Sequence, residues 1–212
     1  MTDRTYHERL FRGGPNMERL KGCKITICGA GALGANLVEN LARAGFESLT
    51  VIDRDRVEER NLSTQPYYRA DVGAHKATIL ANAVYRAVGV SVEGVASELL
   101  ERNVKKLLKG ADLVVDCFDN SPSRQLVTDH CAKSGQACLH AGLAADYAEV
   151  LWNEVYRVPS PAQDDLCDYP LARNLVMLTV AVASEVVVGY VLGGSRRNLT
   201  ITLADLAVRD FV

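Results

Sequence analysis

Apolar positions recur along the chain in two rhythms. Residues 24–28, 49–53 and 112–116 form short, β-rich apolar runs, the pattern of strands covered on both faces. Between them apolar residues return every three or four positions. Leu33, Leu37, Val38 and Leu41 share one helical face, as do Ile79, Leu80, Ala83 and Val84. Read in order, the pattern predicts a strand at 24–28, a helix at 32–44, a strand at 49–53 and a helix that opens at 71–76 and runs to about 87. A short strand at 90–96, a helix at 101–108 closed by Gly110 and a strand at 112–116 follow. Pro122 then sits in the first turn of a helix running to about 133, ahead of a strand at 137–141. Residues 149–157 alternate apolar and polar side chains, which predicts a half-exposed antiparallel strand. Residues 158–170, with three prolines and three aspartates, read as a loop. A long apolar helix at 171–192 ends at Gly193 and Gly194, with Glu185 isolated among valines and alanines. Residues 198–203 and 207–212 read as a closing pair of strands, and residues 1–21 as a polar arm with one short helix. Strand and helix therefore alternate. The expected fold is α/β: a Rossmann-like, mostly parallel sheet with helices on both faces and antiparallel strands toward the C-terminus. No repeat interrupts it, and 1–212 reads as one domain.

Composition narrows the setting. The chain has 212 residues, 48% hydrophobic and 24% charged, with a net charge of -2. That balance excludes a disordered chain and gives no sign of a nucleic-acid surface. No apolar run of about 18 residues is free of polar interruption, so no membrane crossing is expected. The six cysteines, at 23, 28, 117, 131, 138 and 167, form no CxxC pair. Reduced thiols in a cytoplasmic protein fit better than a disulfide scaffold or a four-cysteine zinc site.

The chemistry gathers at the first strand. It runs into Gly29-Ala-Gly31-Ala32-Leu-Gly34, a helix follows, and the second strand ends on Asp53. This is the layout of a dinucleotide-binding βαβ unit. Gly29 permits the tight turn, Gly31 lets a phosphate approach the backbone, and Gly34 lets the helix pack on the sheet. The first N–H groups of that helix face any bound phosphate. Asp53 stands where a carboxylate can accept ribose hydroxyls. The charged stretch 54–65 is too polar for core and too rich in donors for a passive linker. Asp116-Cys-Phe-Asp119-Asn120 closes a strand at its carboxyl end, where ligands sit in open α/β sheets.

Six segments in this order resemble one family, the ThiF/MoeB/HesA adenylyltransferases, relatives of the ubiquitin-activating enzymes. They are Gly29–Gly34, Asp53-Arg-Asp55-Arg-Val-Glu58, Asn61-Leu-Ser-Thr-Gln65, Asp71-Val-Gly-Ala-His-Lys76, Asp116–Asn120 with Arg124, and the long helix bearing Ser184-Glu185. The resemblance covers most of the chain. It implies ATP, not NAD, on the glycine turn. It also implies adenylation of the C-terminal glycine carboxylate of a small ubiquitin-like or sulfur-carrier protein, with release of pyrophosphate. Lys76 then reaches the phosphates, Asp119 holds Mg²⁺ and Asn61 bonds the phosphate region. Asp55, Gln65, Asn120 and Ala32 complete the nucleotide site. Taken singly, Lys76 reads as a solvated lysine and Asp119 as a helix cap.

The chain departs from the family pattern at Thr64, where an arginine is usual; Arg60 and Arg69 are nearby substitutes. Family sites also take an arginine from a second subunit's N-terminal segment. Arg9 lies in the matching region, which implies a homodimer. Cys167, in the loop before the long helix, matches a cysteine that captures the activated carbonyl, although Asp164, Asp165 and Asp168 raise a thiol pKa. His140 reads as structural, and Cys28 and Cys117 as packing residues. Two other classes stay open. Gly29–Asp53 alone permits an NAD-dependent oxidoreductase, and Thr64 permits a non-catalytic nucleotide-binding scaffold subunit.

Overall fold

A computed structural model describes residues 3–160 and 170–211. The elements run α1 (Tyr6–Arg12), α2 (Gly14–Gly22), β1 (Lys24–Cys28), α3 (Ala32–Ala44), β2 (Ser48–Ile52), α4 (Lys76–Val88), β3 (Glu93–Val95) and α5 (Glu101–Leu107). Then come β4 (Leu113–Asp116), α6 (Ser121–Ser134), β5 (Cys138–Ala144), β6 (Tyr147–Trp152), α7 (Arg173–Gly193), β7 (Leu199–Thr202) and β8 (Ala207–Asp210). One eight-stranded sheet has the order β3-β2-β1-β4-β5-β6-β7-β8. Pairs among β3, β2, β1, β4 and β5 are parallel. From β5 onward they are antiparallel. This is the expected fold, and strand order reverses between β1 and β4, which opens the crevice where α/β sheets hold ligands.

Side chains alternate across the sheet, so the central strands β1, β2, β4 and β5 serve two cores. Ile25 and Ile27 of β1 and Leu113 and Val115 of β4 face a core shared with α2, α3, α4 and α7. Cys28, Val114 and Cys138 face a smaller one with Val104 of α5 and Val127 and Cys131 of α6. Helix α7 is long and apolar enough to cross a membrane, yet half of it is buried inside the fold. Its apolar character serves packing against α3, where Asn40 donates to Ser184 Oγ at 2.7 Å.

Three expectations need correction. The N-terminal arm holds two helices, because Gly13, at φ +84°, breaks the first and Pro15 starts the second. The arm is also docked: Met17 and Leu20 are buried, and Arg19 donates to the carbonyls of Leu192 and Val191, which α7 leaves unpaired at its end. Glu185 is not isolated, since Arg12 reaches it from α1. The strand expected at 149–157 lies at Tyr147–Trp152 and is mostly buried, because α7 covers it.

Candidate active site

At the end of β1 the chain turns at Gly29, whose φ is +98°. A side chain at Gly34 would place its Cβ 2.0 Å from the Gly29 carbonyl oxygen, so only glycine lets α3 start this close to the turn. Above Gly31 a Cβ would meet nothing within 4 Å. The middle of the turn is therefore open, with the free N–H groups of α3 beside it.

Two side chains hold that turn in shape, and sequence reasoning missed one of them. Asp53, buried at the end of β2, accepts Ala30 N–H at 2.6 Å on one oxygen and Asp55 N–H at 2.7 Å on the other. Each oxygen keeps a further lone pair, so the carboxylate still has capacity for a ribose hydroxyl. Burial raises its pKa, against the lowering effect of the two N–H bonds and of Lys76. Tyr67 was the missed residue: its buried hydroxyl donates to the Ala30 carbonyl at 2.8 Å.

The charged stretch after Asp53 is ordered. Its middle forms a 3-10 turn over Glu59–Ser63, where Asn61 Oδ1 accepts Glu58 N–H at 2.8 Å. Thr64 is buried, and its carbonyl accepts Asn36 Nδ2 at 2.9 Å. It fills its place as packing and brings no charge. Arg60 pairs with Glu58 at 2.7 Å, whereas Arg69 is exposed. Gln65 is only 9% exposed, and among the described residues its Oε1 has no hydrogen-bond partner. A buried acceptor left open costs free energy unless a donor fills it, so this atom marks a place for an N–H or water.

Lys76 opens α4 and is 8% exposed, so it is no ordinary solvated lysine. Its Nζ lies 3.8 Å from Asp55 Oδ2, and Asp55 is itself exposed. Its charge also acts on the Asp53 carboxylate, so a buried ammonium stands beside two acids with only one loose ion pair, to Asp55, and can turn to an anionic ligand. Past β4, Asn120 caps α6 by accepting Ser123 N–H at 3.0 Å. The cap is thus Asn120, and Asp119 beside it is exposed. Among the described residues no group of three or more His, Cys, Asp or Glu could hold a metal alone. One exposed carboxylate fits Mg²⁺, which takes its other ligands from phosphates and water.

The sheet brings Gly29–Gly34, Asp53, Asp55, Lys76, Asp119 and Asn120 to one rim, beyond the carboxyl ends of β1, β2 and β4. Arg9 does not join them: it pairs within the N-terminal arm, with Asp3 at 2.8 Å and Glu18 at 3.5 Å. Cys167 lies outside the described residues. Cys28 and Cys117 are buried, as packing residues should be. Burial raises both thiol pKa values, that of Cys117 to about 12. His140 is fully buried in a polar cluster with Asp116 and Arg124 beneath the Asp119 loop.

The pattern of the ThiF family matches residues 3–192. The chain belongs to the ThiF family. Among its relatives, the SAMP-activating enzyme E1 of Haloferax volcanii is 37% identical over 134 residues, 62% of this chain and 49% of that one. The sulfur carrier protein ThiS adenylyltransferase of Bacillus subtilis is 34% identical over 154 residues, 69% of this chain and 46% of the enzyme. This ThiF-family chain thus spans about half the length of the curated relatives it matches. Among solved structures, E. coli MccB with ATP superposes at a TM-score of 0.84 with 18% identity, over 99% of this chain and 71% of that one. At that identity the likeness speaks for the fold alone.

Proposed function

We propose that this chain is an ATP-dependent adenylyltransferase acting on the C-terminal carboxylate of a small ubiquitin-like or sulfur-carrier protein. The observation that carries the reading is Lys76, a buried ammonium with only a loose 3.8 Å ion pair to Asp55, on the same rim as the open glycine turn and the exposed Asp119. A hydride-transfer site needs neither a phosphate-seeking lysine nor a magnesium carboxylate. The relatives named as adenylyltransferases favour the same reading.

The reaction joins a carboxylate oxygen to the α-phosphorus of ATP and breaks the bond to pyrophosphate, which takes the electron pair. Two anions must meet, so the site has to supply positive charge. Lys76 and the N–H groups of α3 face the phosphates, and Asp53 and Asn61 orient the nucleotide. Gln65 Oε1 accepts a donor from the ligand. Asp119 would hold Mg²⁺, which would neutralise phosphate charge, and Asn120 lies beside it at the nucleotide. All of this fits within one domain, 1–212, working as a homodimer in which Arg9 serves the partner's site. The five described cysteines are free thiols, in keeping with a cytoplasmic setting. Thr64, buried and uncharged, favours one other reading, a nucleotide-binding scaffold subunit without catalysis.

Pyrophosphate exchange into ATP, with a carrier ending in glycine, separates these readings. Exchange that requires both carrier and Mg²⁺ is the expected result. NAD binding with no exchange would overturn the proposal, and ATP binding with no exchange would leave the scaffold.

A further inference from the structure

Beneath the loop that carries Asp119 lies a buried polar cluster that no step of the reaction uses. Asp116 closes β4 and is fully buried. One of its oxygens accepts Phe118 N–H at 3.1 Å. The other lies 2.9 Å from His140 Nδ1 and 3.7 Å from an Arg124 nitrogen. His140, also fully buried, reaches Asn153 Oδ1 with Nε2 at 2.7 Å. Its ring stacks on Tyr156 with centroids 3.9 Å apart and planes 9° from parallel. Arg124 donates to the Tyr156 hydroxyl at 2.9 Å and to the Ala141 carbonyl at 3.0 Å. Ser121, at the start of α6, donates to the Pro159 carbonyl at 2.8 Å.

Stability alone does not account for this cluster. A buried ionic network is often matched or bettered by apolar residues of the same volume. The preceding positions of β4, Leu113, Val114 and Val115, show that the sheet accepts them. What the cluster does provide is a fixed geometry. Asp116 grips the amide of Phe118, next to Asp119. His140 grips Asp116. Through Tyr156 and Asn153 the same ring holds the segment that follows β6.

We propose that His140 is a positioning residue. Through Asp116 it fixes the direction of the Asp119 carboxylate, and through Tyr156 and Asn153 it ties that loop to residues 153–159. The proposal rests on the adenylyltransferase reading for what Asp119 does, though not for the tie itself.

The test uses the whole chain, as His140→Ala and as Tyr156→Phe, which removes only the hydroxyl that Arg124 holds. In the ligand-free protein, His140→Ala should speed amide exchange at Phe118 and at 154–158 together, while β1 and α3 keep their protection. ATP affinity should then fall roughly 10- to 100-fold with Mg²⁺ present, the usual loss when a partner behind a metal ligand is removed. In EDTA it should stay unchanged. Tyr156→Phe should move both readouts in the same direction by less, and it decides the matter if His140→Ala does not fold. A folded variant that keeps both the Phe118 protection and the Mg²⁺-dependent affinity overturns the positioning role. Wild-type protein whose ATP affinity ignores Mg²⁺ overturns instead the reading of Asp119, so the two failures are told apart.

Discussion

Lys76 should separate stability from activity. Its ammonium is buried, 3.8 Å from Asp55 and within electrostatic reach of Asp53. Replacing it by methionine keeps the stem and removes the charge, so stability should stay the same or rise by about 1 kcal/mol. Pyrophosphate exchange should nonetheless fall at least about 100-fold, the scale of a lost transition-state donor. A variant that melts early yet exchanges well would show a structural lysine instead. Asp119→Ala should likewise abolish exchange and leave the melting temperature alone, since the side chain is exposed. Asp53 gives a dependence on pH. Burial raises its pKa, so protonation is favoured in the folded state. Its stability contribution is therefore present below the unfolded value of about 3.9 and lost as pH rises through the folded one. Binding runs the other way, because the protonated acid gives up acceptor capacity. ATP affinity should fall on acidification through a range above that of an ordinary carboxylate. Asp53→Asn should flatten the profile in calorimetric titrations, and an unchanged profile would place the titrating group elsewhere.

At the scale of elements, the glycine turn and α3 make a paired prediction. Gly34→Ala drives a Cβ to 2.0 Å from the Gly29 carbonyl, so backbone must move, at a cost of about 1–3 kcal/mol and a melting temperature several degrees lower. Gly31→Ala meets nothing, so the fold should tolerate it while ATP affinity drops, because the methyl takes the phosphate's place. Thermal melts with and without ATP read both. Equal destabilisation by the two would mean the open space is not a binding site. The elements were legible for a simple reason: strands β1, β2 and β4 and helices α3 and α4 carry their period in consecutive residues. Gly29, Asp53, Lys76 and Asp119 were legible too, each within a short motif. Two kinds of feature were not. The break at Gly13 and Pro15 was written in the sequence but outweighed by the polar composition of the arm. Tyr67 and the Asp116–His140–Tyr156 cluster join residues far apart in the chain, and only the closed sheet brings them together.

On the whole molecule the open matter is positive charge, since Thr64 supplies none and Arg9 is on the wrong side of its own subunit. Arg9 shares a polar cleft with Gly45 and Glu47, at the C-terminal end of α3. The glycine turn is at the other end of that 13-residue helix, about 20 Å away at 1.5 Å per residue. Any service to an active site must then be to a second copy of the chain, and Arg9 would have to exchange Asp3 and Glu18 for phosphate. Both of those pairs are exposed and so weakly held. Subunit mixing tests this directly. Arg9→Ala alone and Asp119→Ala alone should each be inactive. In a two-fold dimer, random reassortment makes half the molecules mixed, and each mixed dimer has one site with both groups intact, so roughly a quarter of wild-type exchange should return. An Arg9 that acts within its own subunit restores nothing, because the site with Asp119 then lacks its arginine. Full activity of Arg9→Ala by itself, or a monomer that exchanges normally, would remove Arg9 from the site altogether.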